Sequence, residues 1–207
     1  IPIKHREVYK KQTGGKGKFA DIIFILSPAD KNKNGLEFIN KVKGGNIPKE
    51  FIPSIEKGFR EAMKSGPLAG YEIDAMKITL IDGSYHPVDS DQLSFELAAK
   101  SGFRESSKNT KFVLLEPIMK LEIVTPEENM GDIVGDLNRR RGNIQNIDSR
   151  NNTKIIKTIV PLSEMFGYVT TLRTLSSGRA ISTMEFYKYE VVPYNIAEEI
   201  ILKTKDI

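Results

Sequence analysis

Cysteine and tryptophan are both absent from the 207-residue sequence, and its only histidines are His5 and His86. The lack of cysteine excludes disulfides and thiolate metal sites, and two imidazoles are too few to suggest a zinc centre, so no metal is expected. No apolar run approaches the roughly 20 residues that cross a bilayer. No charged-then-apolar leader opens the chain either. Membrane and secretory readings therefore find no support, and a cytoplasmic location is expected. The sequence opens at Ile1 rather than Met, with a strand-like segment almost at once, which leads to the expectation of a piece of a longer protein.

What is present is ordinary for a globular chain: 39% hydrophobic and 28% charged residues. The length suits two domains of about 100 residues each. The formal charge of +4 is unevenly spread. Residues 1–112 hold 19 Lys/Arg against 14 Asp/Glu, and residues 113–207 hold 12 against 13. Within the first eighteen residues Lys4, Arg6, Lys10, Lys11, Lys16 and Lys18 face one acid, Glu7. A basic excess in one segment suits a polyanion such as RNA, and equally a solvated strand edge guarded by lysines.

Residues 118–124 alternate, with Met119, Leu121 and Ile123 on one face, as in a half-buried strand. Thr125-Pro126-Glu127-Glu128 predicts a capping box opening a helix that carries Met130, Ile133, Val134 and Leu137 inward and stops at Gly142. Strands near 143–147 and 154–160 flank an Asn/Asp turn. Ser163 is expected to cap a second helix bearing Phe166, Val169, Leu172 and Leu175, and a last strand runs over 180–189. The order β-α-β-β-α-β is the ferredoxin-like arrangement. Asn195–Lys205 predicts a terminal helix. The first half predicts strands near 3–12, 19–28, 36–43 and 71–81 and helices near 52–65 and 91–107, with Asp89 and Ser90 as helix-start residues. The domain junction is expected within 108–115.

Thr13-Gly14-Gly15-Lys16-Gly17-Lys18-Phe19 invites a phosphate-loop reading that fails on spacing. Gln12 stands where the first glycine belongs, and Phe19 where the magnesium-binding hydroxyl belongs. What remains is a basic, glycine-rich connection able to approach a phosphate closely, or a flexible hairpin tip. Ser84, His86 and Asp89 lie close in sequence, but a hydrolase triad is defined by geometry, and no Gly-x-Ser-x-Gly accompanies them. An exposed His86 can instead stack on a base or bond a phosphate. Arg139, Arg140 and Arg141 suit either RNA or the negative end of a helix.

These segments together resemble the elongation factor G family. Lys11-Gln12-Thr13-Gly14-Gly15-Lys16-Gly17, Gly66-Pro67-Leu68-Ala69-Gly70-Tyr71, Gly83-Ser84-Tyr85-His86 and Leu114-Leu115-Glu116-Pro117-Ile118-Met119 carry the likeness. Thr125 to Asn129, Gly135 to Gly142 and Val160 to Tyr168 continue it in the same order. The resemblance implies an α+β chain of two domains. Residues 1–112 would be the fourth domain, a ribosomal-protein-S5-like α/β fold with a left-handed crossover. Residues 113–207 would be the fifth, ferredoxin-like, with the terminal helix 195–205.

It further implies a monomeric, bacterial, ribosome-binding part of a translocation factor. Tip loops Gln12, Thr13, Gly14, Gly15 and Lys16, and Ser84, Tyr85, His86 and Pro87, would contact transfer RNA and messenger RNA in the small-subunit decoding region. The fifth domain would meet the GTPase-associated region of the large subunit. Lys10, Lys11, Lys18, Arg139, Arg140 and Arg141 are candidate ribosomal-RNA contacts. No catalytic residue and no cofactor are expected here; GTP and magnesium would belong to an upstream domain. Lys18 stands where glutamine is usual, and Pro87 where an acid is usual. A recycling or ribosome-protection paralogue, and a free-standing RNA-binding module displaying Tyr187 and Tyr189, are the alternatives.

Overall fold

The computed structural model describes residues 2–12, 14–31 and 33–205. The chain divides into two compact units, one of residues 1–112 together with those from Glu198 on, the other Val113–Ala197.

In the first unit, strands β1 (Ile3–Lys11), β2 (Lys18–Pro28), β3 (Leu36–Asn40) and β4 (Met76–Ser84) form a sheet in the order β1-β2-β4-β3. β2 is antiparallel to both β1 and β4, while β3 runs parallel to β4 and is joined to it through helix α1 (Ile52–Ala62). Period-two burial sets the faces: Ala20, Ile22, Phe24 and Leu26 of β2, and Met76, Ile78 and Leu80 of β4, all enter the core. On α1 the core stripe is Ile55 and Phe59, extended by Met63 just past its end, and on helix α2 (Gln92–Ser107) it is Phe95, Ala98, Ala99 and Phe103. The two helices pack so closely that a Cβ on Gly58 would lie 2.5 Å from the carbonyl oxygen of Glu96. Phe24 meets Phe59 edge-on at 4.8 Å between ring centroids, and Phe51 stacks on Phe95 at 4.9 Å.

The second unit contains β5 (Leu115–Pro126), α3 (Met130–Arg139), β6 (Asn143–Arg150), β7 (Thr153–Pro161), α4 (Tyr168–Leu175) and β8 (Ile181–Val191). Its strands pair antiparallel in the order β6-β7-β5-β8, the ferredoxin-like βαββαβ arrangement expected. Leu121, Ile123, Ile133, Leu137, Ile156, Val160, Tyr168 and Leu172 make its core. A final helix, α5 (Tyr194–Lys205), follows.

Several local expectations are corrected. The predicted strand at 71–81 lies at Met76–Ser84, because Gly70 and Ala75, both at positive φ, turn the chain before it. Thr125 does not cap a helix. It is fully buried within β5, and the Glu128 carboxylate pairs with Arg179 instead. Ser163 caps nothing: a single 3-10 turn at Leu162–Glu164 precedes α4, whose first turn starts from Gly167 in the left-handed region. That delayed start rotates the helix, so Tyr168 and Leu172 are buried while Phe166 is 82% and Val169 65% exposed. Helix α2 is capped by Asp91, whose side chain accepts from the Ser94 amide at 2.7 Å, and not by Asp89 or Ser90.

Candidate nucleic-acid interface

The direction of the strands delivers two connections to one end of the first sheet. β1 ends at Lys11 and β2 begins at Lys18, while β4 ends at Ser84 and α2 begins after Asp91. The intervening loops meet through a hydrogen-bond net centred on Asp89. Its carboxylate accepts from the Gly17 amide at 3.1 Å, and its carbonyl accepts from the Phe19 amide at 2.9 Å. Ser90 completes the tie, its hydroxyl donating to the Phe19 carbonyl at 2.7 Å and accepting from the His86 amide at 2.9 Å. Gly17 is buried, and a Cβ there would lie 3.0 Å from the Asp89 carboxylate, so any larger residue would push that side chain back.

His86 stands exposed at the crest. Its Nδ1 accepts from the amides of Val88 at 3.3 Å and Asp89 at 3.2 Å. The Asp89 carboxylate lies 3.6 Å from the same nitrogen, and in the tautomer that accepts both amide bonds Nε2 carries the hydrogen and can donate it to a partner. Tyr85 and Pro87 flank it, both exposed, and Gln12, Gly14, Gly15 and Lys16 are exposed across the way. Thr13 lies outside the described residues. Gly14 takes φ +38°, with nothing within 4 Å of where a Cβ would stand. Between the loops is a concavity of about 300 Å³ lined by Lys10, Lys11, Gln12, Gly17, Lys18, Phe19, His86 and Asp89.

The cations divide by whether they already have partners. Lys10, Lys11 and Lys16 are exposed and, among the described residues, pair with no carboxylate. Lys18 is bonded to Asp91. Burial would raise the Asp91 carboxyl, but hydrogen bonds from Lys18 and from the Ser94 hydroxyl and amide outweigh it and hold the group at about 2.

In the second unit Arg140 is committed internally. It donates to Asp136 at 2.8 Å and to Thr171 at 3.1 Å, and it stacks over Tyr168 at 5.2 Å. Arg141, in the left-handed region at φ 61°, forms a two-pronged pair with buried Glu116. Arg139 alone of the three projects outward, 75% exposed with Asp136 at 3.6 Å.

The hydrolase reading finds no relay geometry. The Ser84 hydroxyl donates to Asp21 at 2.8 Å, and the His86 ring is engaged with backbone amides, so Ser84, His86 and Asp89 form no nucleophilic relay. Tyr187 and Tyr189 are both exposed on β8; the Tyr187 ring lies beside Lys120 at 4.5 Å and Lys188 at 5.2 Å, and Tyr189 leans on Phe186 at 5.3 Å. No group of metal-binding side chains occurs among the described residues, and no helix there is long and apolar enough to cross a membrane. Sequence reasoning missed Asp89 as the tie between the loops, since its partner Gly17 lies 72 residues away.

Known proteins share this architecture. Residues 2–111 match the family model "Elongation factor G, domain IV", and residues 113–200 match "Elongation factor G C-terminus". The chain is 71% identical over 197 residues to elongation factor G of Karelsulcia muelleri, covering 94% of this chain and 28% of that protein. It is 60% identical over 202 residues to elongation factor G of Cytophaga hutchinsonii, covering 98% and 29%. A crystal structure of a Thermus thermophilus protein superposes with a TM-score of 0.88 at 35% identity, over 100% of this chain and 31% of that one. The chain thus spans less than a third of the length of these relatives.

Proposed function

The chain belongs to the elongation factor G family, and from that premise we propose that it is the non-catalytic, ribosome-engaging part of a translocation factor. The end of the first unit bearing His86 contacts transfer RNA and messenger RNA in the decoding region as they move. The second unit meets the large subunit, with Arg139 as the exposed cation at the end of α3. GTP hydrolysis belongs to segments of the protein outside this chain.

The observation that carries the reading is the tie through Asp89. It joins two loops into one surface that presents an exposed imidazole, bare glycine backbone and three uncompensated lysines. Such a surface suits a phosphodiester and exposed base edges. It holds a contact in place and performs no bond chemistry.

Single-turnover movement of messenger RNA by the full-length protein tests it. His86→Ala is expected to slow the movement at least about tenfold, equal to about 1.4 kcal/mol of barrier, while leaving ribosome-stimulated GTP hydrolysis unchanged. An undiminished rate of movement would overturn the assignment of the tip.

A further inference from the structure

We propose that residues 41–49 form a third RNA-binding loop at the same end of the first unit, taking the phosphodiester backbone of a folded RNA. The inference rests on reading that end as RNA-facing, and it extends the surface beyond the two tip loops.

Strand direction places the loop there. β3 runs parallel to β4, so its exit at Asn40 points the same way as the exit of β4 toward His86. The loop is also pinned. The Lys41 amide bonds the Leu80 carbonyl at 2.8 Å, and the Asn46 side chain donates to Asp82 at 2.9 Å. Ile47, 2% exposed, plugs in beside Gly83, where a Cβ would come within 2.6 Å of its Cδ1 and 2.2 Å of the Asp21 carbonyl. Asp82 and Gly83 lead directly into Ser84 and Tyr85, so the third loop is fastened to the root of the second.

Its chemistry is that of a phosphate-facing segment. Lys41, Lys43 and Lys49 are exposed, and among the described residues no carboxylate pairs with any of them. Several lysines elsewhere in the unit do have partners: Lys33 with Glu37, Lys57 and Lys100 with Glu96, Lys64 with Glu61, Lys77 with Asp30, and Lys108 with Glu105; Lys4, Lys31 and Lys111, like the tip lysines, pair with no carboxylate among the described residues. No acid falls between Lys41 and Lys49. Gly44 and Gly45 take φ of 67° and 73°, leaving bare backbone between the lysines that a phosphate can approach closely. Protein partners are usually anchored by exposed aromatic or aliphatic side chains. Here the larger apolar side chains are used inward, Ile47 as the pin and Val42 packed against the core, which favours RNA over an acidic protein.

The test is the salt dependence of binding between the 207-residue chain and a short RNA hairpin, read by fluorescence anisotropy. Replacing Lys41, Lys43 and Lys49 together by Gln is expected to lower the slope of log affinity against log salt by about 2 to 3, from about 0.7–0.9 per phosphate contact. Thermal stability should stay unchanged, and Lys64→Gln, which removes a paired cation, should leave the slope alone.

A parallel variant with Lys10, Lys11 and Lys16 changed to Gln separates this inference from the reading beneath it. If that variant lowers the slope and the Lys41/Lys43/Lys49 variant does not, the third loop is refuted and the tip stands. The reverse result upholds the third loop and removes the tip lysines. If neither variant alters the slope, or the chain does not bind the hairpin, both fall. Loss of binding to polyglutamate with no change toward RNA would identify an acidic protein as the partner and overturn the proposal.

Discussion

The Gly17 amide donates to the Asp89 carboxylate at 3.1 Å across a separation of 72 residues. One short bond thus makes a single surface of loops that belong to different strand pairs. Asp89→Ala should leave the buried Gly17 amide unpaired, at a cost of about 1–3 kcal/mol, and speed hydrogen exchange at Gly17 and Phe19. Asp89→Asn keeps an acceptor oxygen and should restore most of the protection. Equal exchange in the alanine variant and the parent would show that the loops hold together without Asp89.

Acid should loosen the start of α2. The folded Asp91 carboxyl sits at about 2, below its ordinary value of about 3.9. A depressed folded value means that the stabilisation is complete above the unfolded value and fades as pH falls from about 4 toward 2. The side chain is 31% exposed, and solvent screening reduces the contribution to about 1–2 kcal/mol. Unfolding free energies of the parent and Asp91→Ala from urea titration should differ by that amount near neutral pH and converge below pH 2. A difference independent of pH would rule out the charge as its source.

Tyr168 offers a stabilising substitution. Its hydroxyl is buried without a hydrogen-bond partner among the described residues, and burial pushes the phenol well above its ordinary pKa. Tyr168→Phe removes the unmet polar group and keeps the ring beneath Arg140, so stability should rise by about 1 kcal/mol. Calorimetry showing a loss of stability would mean that the hydroxyl has a partner in solution.

The arginine run should split three ways. Arg141→Ala strands the Glu116 carboxylate, 8% exposed, and is expected to cost about 3–5 kcal/mol. Arg140→Ala removes several bonds at once and should also destabilise the second unit. Arg139→Ala should change stability by less than about 0.5 kcal/mol while weakening attachment to the large subunit. Equal stability losses at Arg139 and Arg141 in urea unfolding would contradict this division.

The sequence made the strands legible wherever one face is wet. Leu121 and Ile123 announce their burial by alternation, whereas Ile22 to Leu26 form a continuous apolar run that does not by itself single out Ile22, Phe24 and Leu26 as the inward residues. Helix ends were less legible, because side chains that cap in isolation found other partners. Thr125 went into the core and Glu128 to Arg179, while at α2 the capping role expected of Asp89 or Ser90 fell to Asp91, held in place by Lys18. The site was half legible. Glycines, lysines and an exposed histidine mark both loops, but nothing near Gly17 announces Asp89. Arg140 and Arg141 looked as available as Arg139 because Thr171 and Glu116, which claim them, are 31 and 25 residues away.

The first unit is interrupted in sequence, since residues from Glu198 on belong with residues 1–112 while Val113–Ala197 form the second. A ribosome builds its product from the amino end, so the later-encoded unit is complete before the earlier one has received its last helical turns. The first unit therefore draws, during its own synthesis, on a stretch of chain that emerges only after the second unit.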